Sequence, residues 1–260
     1  MEALSELLFS LRRDLRSIPE VEAALQPADM ADGYRLQLEL CDALCAHAGG
    51  ARPVGYKVAL TSATAQSLVG YPAPVFGTML SYMHWRDPAV LKASDFTTRI
   101  IEAEFGFRIG RDVPPGDYTR ADMADYVVAV MPSIEIVDHR FAALDRMTAP
   151  VLAADNAIHG GWIEGEAVYD WPLAELDSHE VSLRVNGAEI LTGAGDRVLS
   201  HPLEVLAWLA NELPKHGRQL KAGDFVTTGL ATDGIYDAQA GDIVVADFGA
   251  LGQVTAEFEG

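Results

Sequence analysis

The chain has 260 residues, 49% of them hydrophobic and 22% charged, a composition that supports a sizeable folded core and excludes a disordered protein. With 38 acidic against 19 basic side chains the formal charge is −19, which repels nucleic acid and anionic membrane alike. An anionic small molecule would need a cation or a lysine set locally against that field.

From the N-terminus, Met1-Glu2-Ala3-Leu4-Ser5-Glu6 lacks the basic start of a signal peptide, and no run approaches the ~18 apolar residues of a membrane span, so a cytoplasmic protein is expected. Leu4, Leu7, Leu8, Leu11 and Leu15 recur at helical spacing until Pro19 ends or redirects the helix. A second helix is predicted from Pro27–Asp29 past Leu40 and Leu44 to a stop at Gly49-Gly50. Cys41 and Cys45 lie four apart on it, awkward for a disulfide and too few for a metal site, so both are read as reduced, packed thiols. Val54 to Leu60 reads as a short strand containing Lys57, followed by a helix capped by Thr61 or Ser62 that runs through Leu68 to Gly70.

Beyond Pro88 strands are predicted near 99–109, 131–138, 180–192, 224–229, 242–248 and 253–258, with helices at about 119–130 and 201–213. The later helix carries Leu203, Leu206, Leu209, Ala210 and Leu213 on one stripe, with Ser200 as N-cap and Pro202 in its first turn. Turn residues at Asn186-Gly187, Ala222-Gly223-Asp224 and Ala240-Gly241-Asp242 point to a strand-rich roll rather than a βαβ ladder. No phosphate-cradling glycine loop is present.

Three carboxylates stand out. Ile101, Ala103, Phe105, Phe107 and Ile109 alternate with period two, which leaves Glu102 and Glu104 together on the other face. Their Cα atoms are then about 6.5–7 Å apart. Glu135 interrupts the apolar run from Tyr126 to Val137, where a carboxylate must be neutralised, paired or bound to metal. Singly, each has a plainer alternative: Glu-x-Glu fits the wet face of a strand, and Glu135 fits a buried ion pair. Together they fit a hard divalent cation such as Mg²⁺, held by oxygen and keeping positions open for a substrate.

Gly55-Tyr56-Lys57-Val58-Ala59-Leu60-Thr61-Ser62 resembles the lysine strand of the 2-keto-4-pentenoate hydratase and 4-oxalocrotonate decarboxylase family, within the fumarylacetoacetate hydrolase superfamily. Ile101-Glu102-Ala103-Glu104, Glu135-Ile136-Val137-Asp138-His139-Arg140 and Ala154-Asp155-Asn156-Ala157 match its next blocks in order. The run from Ser200 to Asn211, Lys221-Ala222-Gly223-Asp224, Thr228-Gly229, Ala240-Gly241-Asp242 and Leu251-Gly252 are similar too, so the resemblance spans nearly the whole chain. It implies an α+β fold: a mixed β-roll over 88–260 that carries the metal site, and a smaller N-terminal α/β region over 1–87 that carries Lys57. It also implies a homo-oligomer, Mg²⁺ or Mn²⁺ on Glu102, Glu104 and Glu135, and Lys57 as the acid/base residue. Proximity to such a cation is expected to lower the Lys57 pKa. The implied substrate is a small 2-oxo acid or its dienol form.

Three departures from the family bear on the reaction. Val75, in Ala73-Pro74-Val75-Phe76-Gly77, stands where family hydratases carry an acid that would activate water. Ile158 and His159, before Gly160-Gly161, replace two serines, and His139 replaces a serine before Arg140. Each histidine fits either a packed ring or a general base for water. His159 and Asp155 are accordingly candidates for catalysis beside Lys57, and Thr61, Ser62, Asn156 and Thr232 for substrate contact. Arg140 fits a pair with Asp138 or with a substrate carboxylate, the structural pair being the expected one. The expected function is a lyase of aromatic meta-cleavage, hydration ahead of decarboxylation. C–C hydrolysis of an acylpyruvate and a non-catalytic dicarboxylate binder are the alternatives.

Overall fold

The computed structural model describes residues 1–142 and 144–260, and its strands fall into two sheets. In chain order the strands are β1 (Pro53–Ala59), β2 (Val75–Leu80), β3 (His84–Arg86), β4 (Ala89–Lys92), β5 (Ile100–Ile109), β6 (Val127–Val137), β7 (His159–Glu164), β8 (Glu180–Val185), β9 (Ala188–Ala194), β10 (Phe225–Thr227), β11 (Tyr236–Asp237), β12 (Ile243–Asp247) and β13 (Gln253–Glu259). The helices are α1 (Ala3–Arg13), α2 (Met30–His47), α3 (Ala63–Val69), α4 (Arg120–Ala124), α5 (Ala149–Ala154) and α6 (Pro202–Glu212). An eight-stranded sheet runs β2-β1-β10-β5-β6-β7-β3 with β11 paired to β5, and a five-stranded sheet runs β4-β13-β12-β8-β9. Among the described residues no helix is long and apolar enough to cross a membrane.

β5 and β6 form the antiparallel spine of the larger sheet, in register from Ile100 opposite Val137 to Arg108 opposite Ala129, with a shift of register before Ile109 opposite Val127. β1 joins the same sheet, parallel to β10 and antiparallel to β2, so the Lys57 strand is hydrogen-bonded into the sheet that carries the three glutamates. α1 buries Leu4, Leu8 and Leu11, and α2 buries Leu36, Leu40 and Leu44; α2 packs against α1, α5 and β2. One extended cluster of buried apolar side chains joins the helices to both sheets, while Met79, Ala129, Met131 and Trp162 form a second, smaller one.

Several elements differ from expectation for identifiable reasons. The first helix stops at Arg13, and Leu15 turns left-handed at φ 49°. The helix expected over 119–130 is only α4, closed by a Thr119/Asp122 capping box. The β-branched run from Val127 instead pairs with β5, packing overriding local propensity. The single strand expected over 180–192 is a hairpin, β8 and β9, turning through the positive-φ residues Asn186 and Gly187. α6 is capped by the His201 ring, which accepts from the Leu203 amide at 3.0 Å, and not by Ser200. β2, β3, β4, β7, β11 and α5 lie outside the predicted elements; β7 is obscured in the sequence by Gly160-Gly161.

Candidate metal centre and active site

In an antiparallel ladder directly opposed residues project to the same side. Glu102 opposes Glu135 and Glu104 opposes Ser133, so the three carboxylates share one face of the β5–β6 pair. The register carries that face across the sheet: Gly106 opposes Thr227, and Thr227 opposes Lys57. One oxygen from each of Glu102, Glu104 and Glu135 lies within 4.8 Å of the other two. Glu104 and Glu135 are fully buried and Glu102 is partly exposed.

Among the described residues, each buried carboxylate is held by one oxygen and leaves the other unpaired. Glu104 Oε2 accepts from the Gly229 amide at 2.7 Å and from the Thr227 hydroxyl, while Oε1 has no partner. Glu135 Oε1 meets Lys57 Nζ at 2.9 Å and His159 Nδ1 at 2.8 Å, while Oε2 has no partner. Buried acceptors left unpaired cost free energy. Fully ionised, three carboxylates and one ammonium would also leave the cluster two charges negative. Two orphaned oxygens beside a third carboxylate, with that charge deficit, fit a hard divalent cation bound by oxygen.

The electrostatics agree. Burial, then repulsion from Glu104, pushes the Glu102 carboxyl up to about 8. Burial, then repulsion from Glu135, pushes Glu104 up to about 8. Burial raises Glu135 to about 7 against the opposing pull of Lys57. Burial opposes the Lys57 charge, but Glu135, Glu102 and Glu104 together outweigh it and hold its pKa above the ordinary value. His159 is driven well below its usual value by burial, then by Lys57 and Arg12, and is neutral. Against an ionised Glu135 its ring donates from Nδ1, which leaves the buried, unpaired Nε2 as an acceptor.

A strained turn completes the arrangement. Asn156, Ala157 and Ile158 have φ of 53°, 51° and 52°, three consecutive left-handed residues without a glycine among them. Lys57 Nζ donates to the Ala157 carbonyl at 3.0 Å. The Asn156 carboxamide accepts from the Thr78 amide at 2.6 Å and donates to the Thr78 carbonyl at 2.9 Å. Gly77 faces this turn across β2: a Cβ there would lie 2.5 Å from the Asn156 carbonyl oxygen and 3.1 Å from Lys57 Cγ. On the other side Arg12 donates to Asp155 Oδ1 at 2.8 Å, to the Asp155 carbonyl at 2.7 Å and to the His159 carbonyl at 2.9 Å.

Of the residues singled out from sequence, Glu102, Glu104, Glu135, Lys57 and His159 converge. Asp155 is fully buried and paired with Arg12, at the start of the strained turn. Asn156 spends its side chain on β2. Ser62 caps α3 by accepting from Ala65, and Thr232 donates to the Gly234 carbonyl. Thr61 packs its hydroxyl against Gly229, where a Cβ would clash with it, and Gly229 in turn supplies the amide on Glu104. His139 is half-buried, its amide donating to Thr98, and among the described residues it makes no hydrogen bond to the carboxylates. Arg140 pairs with Asp138, as expected. Sequence reasoning missed the roles of Thr227, the Gly229 amide, the Ala157 carbonyl and Arg12. The Ala154–Ala157 and Thr228-Gly229 blocks and the strand predicted over 224–229 pointed to the first three by position only, and nothing pointed to Arg12.

The sequence profile of the fumarylacetoacetate (FAA) hydrolase C-terminal family matches residues 58–259. A 2-keto-4-pentenoate hydratase 1 of Dechloromonas aromatica (strain RCB) is 32% identical over 259 residues, covering 99% of this chain and 96% of that one. A 4-oxalocrotonate decarboxylase of Pseudomonas sp. (strain CF600) is 30% identical over 259 residues, covering 98% of this chain and 96% of that one. The solved 4-oxalocrotonate decarboxylase from Pseudomonas putida G7, complexed with magnesium and adipate, superposes with a TM-score of 0.89 at 28% identity, covering 98% of this chain and 96% of that one.

Proposed function

The chain belongs to the fumarylacetoacetate hydrolase family, and on that premise we propose that it is a divalent-metal-dependent lyase acting on a small 2-oxo acid or its 2-hydroxydienoic form. The favoured reaction is hydration of a 2-keto-4-pentenoate-type substrate of aromatic meta-cleavage. The observation that carries this reading is the convergence of the unpaired Glu104 Oε1 and Glu135 Oε2 with Glu102 beside a buried lysine. The reading carries with it a homo-oligomer working in the cytoplasm.

Glu102, Glu104 and Glu135 would hold the cation, Mg²⁺ or Mn²⁺. Such an ion supplies Lewis acidity to the carboxylate and keto oxygens of a 2-oxo acid. Lys57 holds its ammonium between Glu135 and the Ala157 carbonyl, with a proton available for the carbon next to the keto group. His159 fixes the free rotation of Glu135 by holding the same oxygen as Lys57. Thr227 and Gly229 do the same for Glu104. Burial of Lys57 and His159 keeps bulk water from both.

One observation favours decarboxylation as the second reading. Val75 opens β2 fully buried, where family hydratases would place a water-activating acid. The test is product identification with Mg²⁺ and 2-hydroxydienoic acids with and without a second carboxylate. A 4-hydroxy-2-oxo acid product supports hydration, and released CO₂ supports the second reading. No product, with EDTA changing nothing, refutes both.

A further inference from the structure

Arg218, beyond the end of α6, is a half-buried cation that forms no ion pair among the described residues. Its Nη1 donates to Gln37 Oε1 at 3.0 Å and to Thr78 Oγ1 at 2.8 Å. Its guanidinium lies 5.2 Å from the centroid of the Phe76 ring, and Nε and Nη2 are buried without partners among the described residues. A half-buried cation with two buried, unpartnered donors costs stability. In a chain with 38 acidic residues to choose from, folding alone does not explain the arrangement.

What Nη1 grips leads to the lysine. Gln37 Nε2 donates to the Phe76 and Ala153 carbonyls, both at 2.9 Å, tying β2 to the end of α5. The backbone of Thr78 pairs with the Asn156 side chain. β2 is the edge strand of its sheet, and the Tyr34 hydroxyl, Gln37 and Asn156 satisfy its outward-facing backbone groups at Phe76 and Thr78. Across that edge the strained turn delivers the Ala157 carbonyl to Lys57. A left-handed run of this kind persists only when its surroundings over-determine it. Arg12 holds it from the Asp155 side, and the Arg218–Gln37–Thr78 cluster holds it from the β2 side.

Resting on the reading of Lys57 as the acid/base group, we propose that Arg218 is a positioning residue. Through Gln37 and Thr78 it clamps the edge of β2 onto Asn156, and so keeps the Ala157 carbonyl and the Lys57 ammonium aimed at the carboxylates.

Arg218 also lines an open surface cleft with Tyr56, Pro214, Gln219 and Lys221, so the void left by Arg218→Ala is reachable from solvent. In the full-length, Mg²⁺-loaded protein, Arg218→Ala should lower kcat about 10- to 100-fold, the scale of a displacement of about 1 Å at an acid/base group. KM and Mg²⁺ affinity should stay near wild type. Guanidinium ion at low millimolar concentration should restore most of kcat, and ammonium at the same concentration should not. Hydrogen exchange of the amides at 155–158 should rise in the variant and fall again with guanidinium. That readout needs no substrate: a wild-type protein with no turnover would sink the proposed function while exchange still decides the role of Arg218. Unchanged kcat, unchanged exchange at 155–158, or a loss that guanidinium does not repair would overturn the proposal. Should Arg218→Ala fail to fold, Thr78→Val removes the gripped hydroxyl and keeps the Asn156 pairing. Wild-type turnover and exchange in Thr78→Val would overturn it equally.

Discussion

Glu102 and Glu135 stand directly opposite each other on β5 and β6, so a hydrogen-bonded ladder, not a loop, fixes the distance between their carboxylates. Glu104 follows two residues along the same strand, and the three are pre-organised as like charges with one ammonium among them. Ionised, such a cluster costs stability, and a divalent cation there would offset its charge. The same relationship yields separable consequences for stability, pH dependence and turnover.

Neutralising the most exposed member should trade metal affinity for apo stability. Glu102→Gln removes the charge that Glu104 repels. Its metal-free Tm should equal or exceed that of wild type, while Mg²⁺ affinity falls by at least ~100-fold, more than the loss of an outer-shell partner costs. Calorimetric titration and thermal melts check both. Wild-type Mg²⁺ affinity would remove Glu102 from the site.

The stabilisation gained on adding Mg²⁺ should grow with pH. Glu102, Glu104 and Glu135 have folded pKa values near 8, 8 and 7, above their unfolded value of 4.5. The unfolded chain therefore binds fewer protons at these groups between about pH 4.5 and 8, and their contribution to metal-free stability falls as pH rises through that window. Lys57, raised above its ordinary value, stays protonated throughout and drops out of the comparison. Metal binding displaces the carboxyl protons, so the Tm gain from saturating Mg²⁺ should be larger at pH 8 than at pH 6. A gain that is flat or larger at pH 6 would show that the carboxylates are not the ligands.

Removing the lysine should separate chemistry from binding. Lys57→Ala is expected to lower turnover by about 10²- to 10⁴-fold, the range for a positioned proton-transfer group. Mg²⁺ affinity should be largely retained, since Glu135 keeps His159 on the oxygen it shared. Steady-state kinetics beside a metal titration check this, and wild-type turnover would take Lys57 out of the reaction.

Much of the site was legible in the sequence, and the unread part has a physical reason. Period-two alternation put Glu102 and Glu104 on one face, and Glu135 announced itself by breaking an apolar run. Their convergence needed the Glu102–Glu135 register, which pairing between distant segments decides. Lys57 was legible only through the family blocks. The Ala157 carbonyl and the Gly229 amide are backbone groups, and no residue letter marks them. Arg12 sits in the basic last turn of an amphipathic helix, where sequence suggests a solvated end, yet it reaches Asp155 and is buried. α2, α3, α6, β1, β5, β12 and β13 lie within a few residues of their predicted bounds; β7, with two glycines, was not recognised.

Gly77 should be intolerant of the smallest side chain. Gly77→Ala puts a Cβ against the Asn156 carbonyl and the Lys57 stem. The overpacking should cost about 1–3 kcal/mol of stability. It should lower kcat as well, because relief requires moving either the strained turn or the lysine. Thermal melts and kinetics test this, and a variant equal to wild type in both would mean that the turn is not held where β2 places it.

The most direct measurement is an anomalous difference map from crystals grown with Mn²⁺. The account predicts one strong peak about 2.0–2.2 Å from an oxygen of each of Glu102, Glu104 and Glu135, within the ordinary range for a small hard cation on oxygen. A peak touching only one of these carboxylates, or none among them at saturating Mn²⁺, would contradict it.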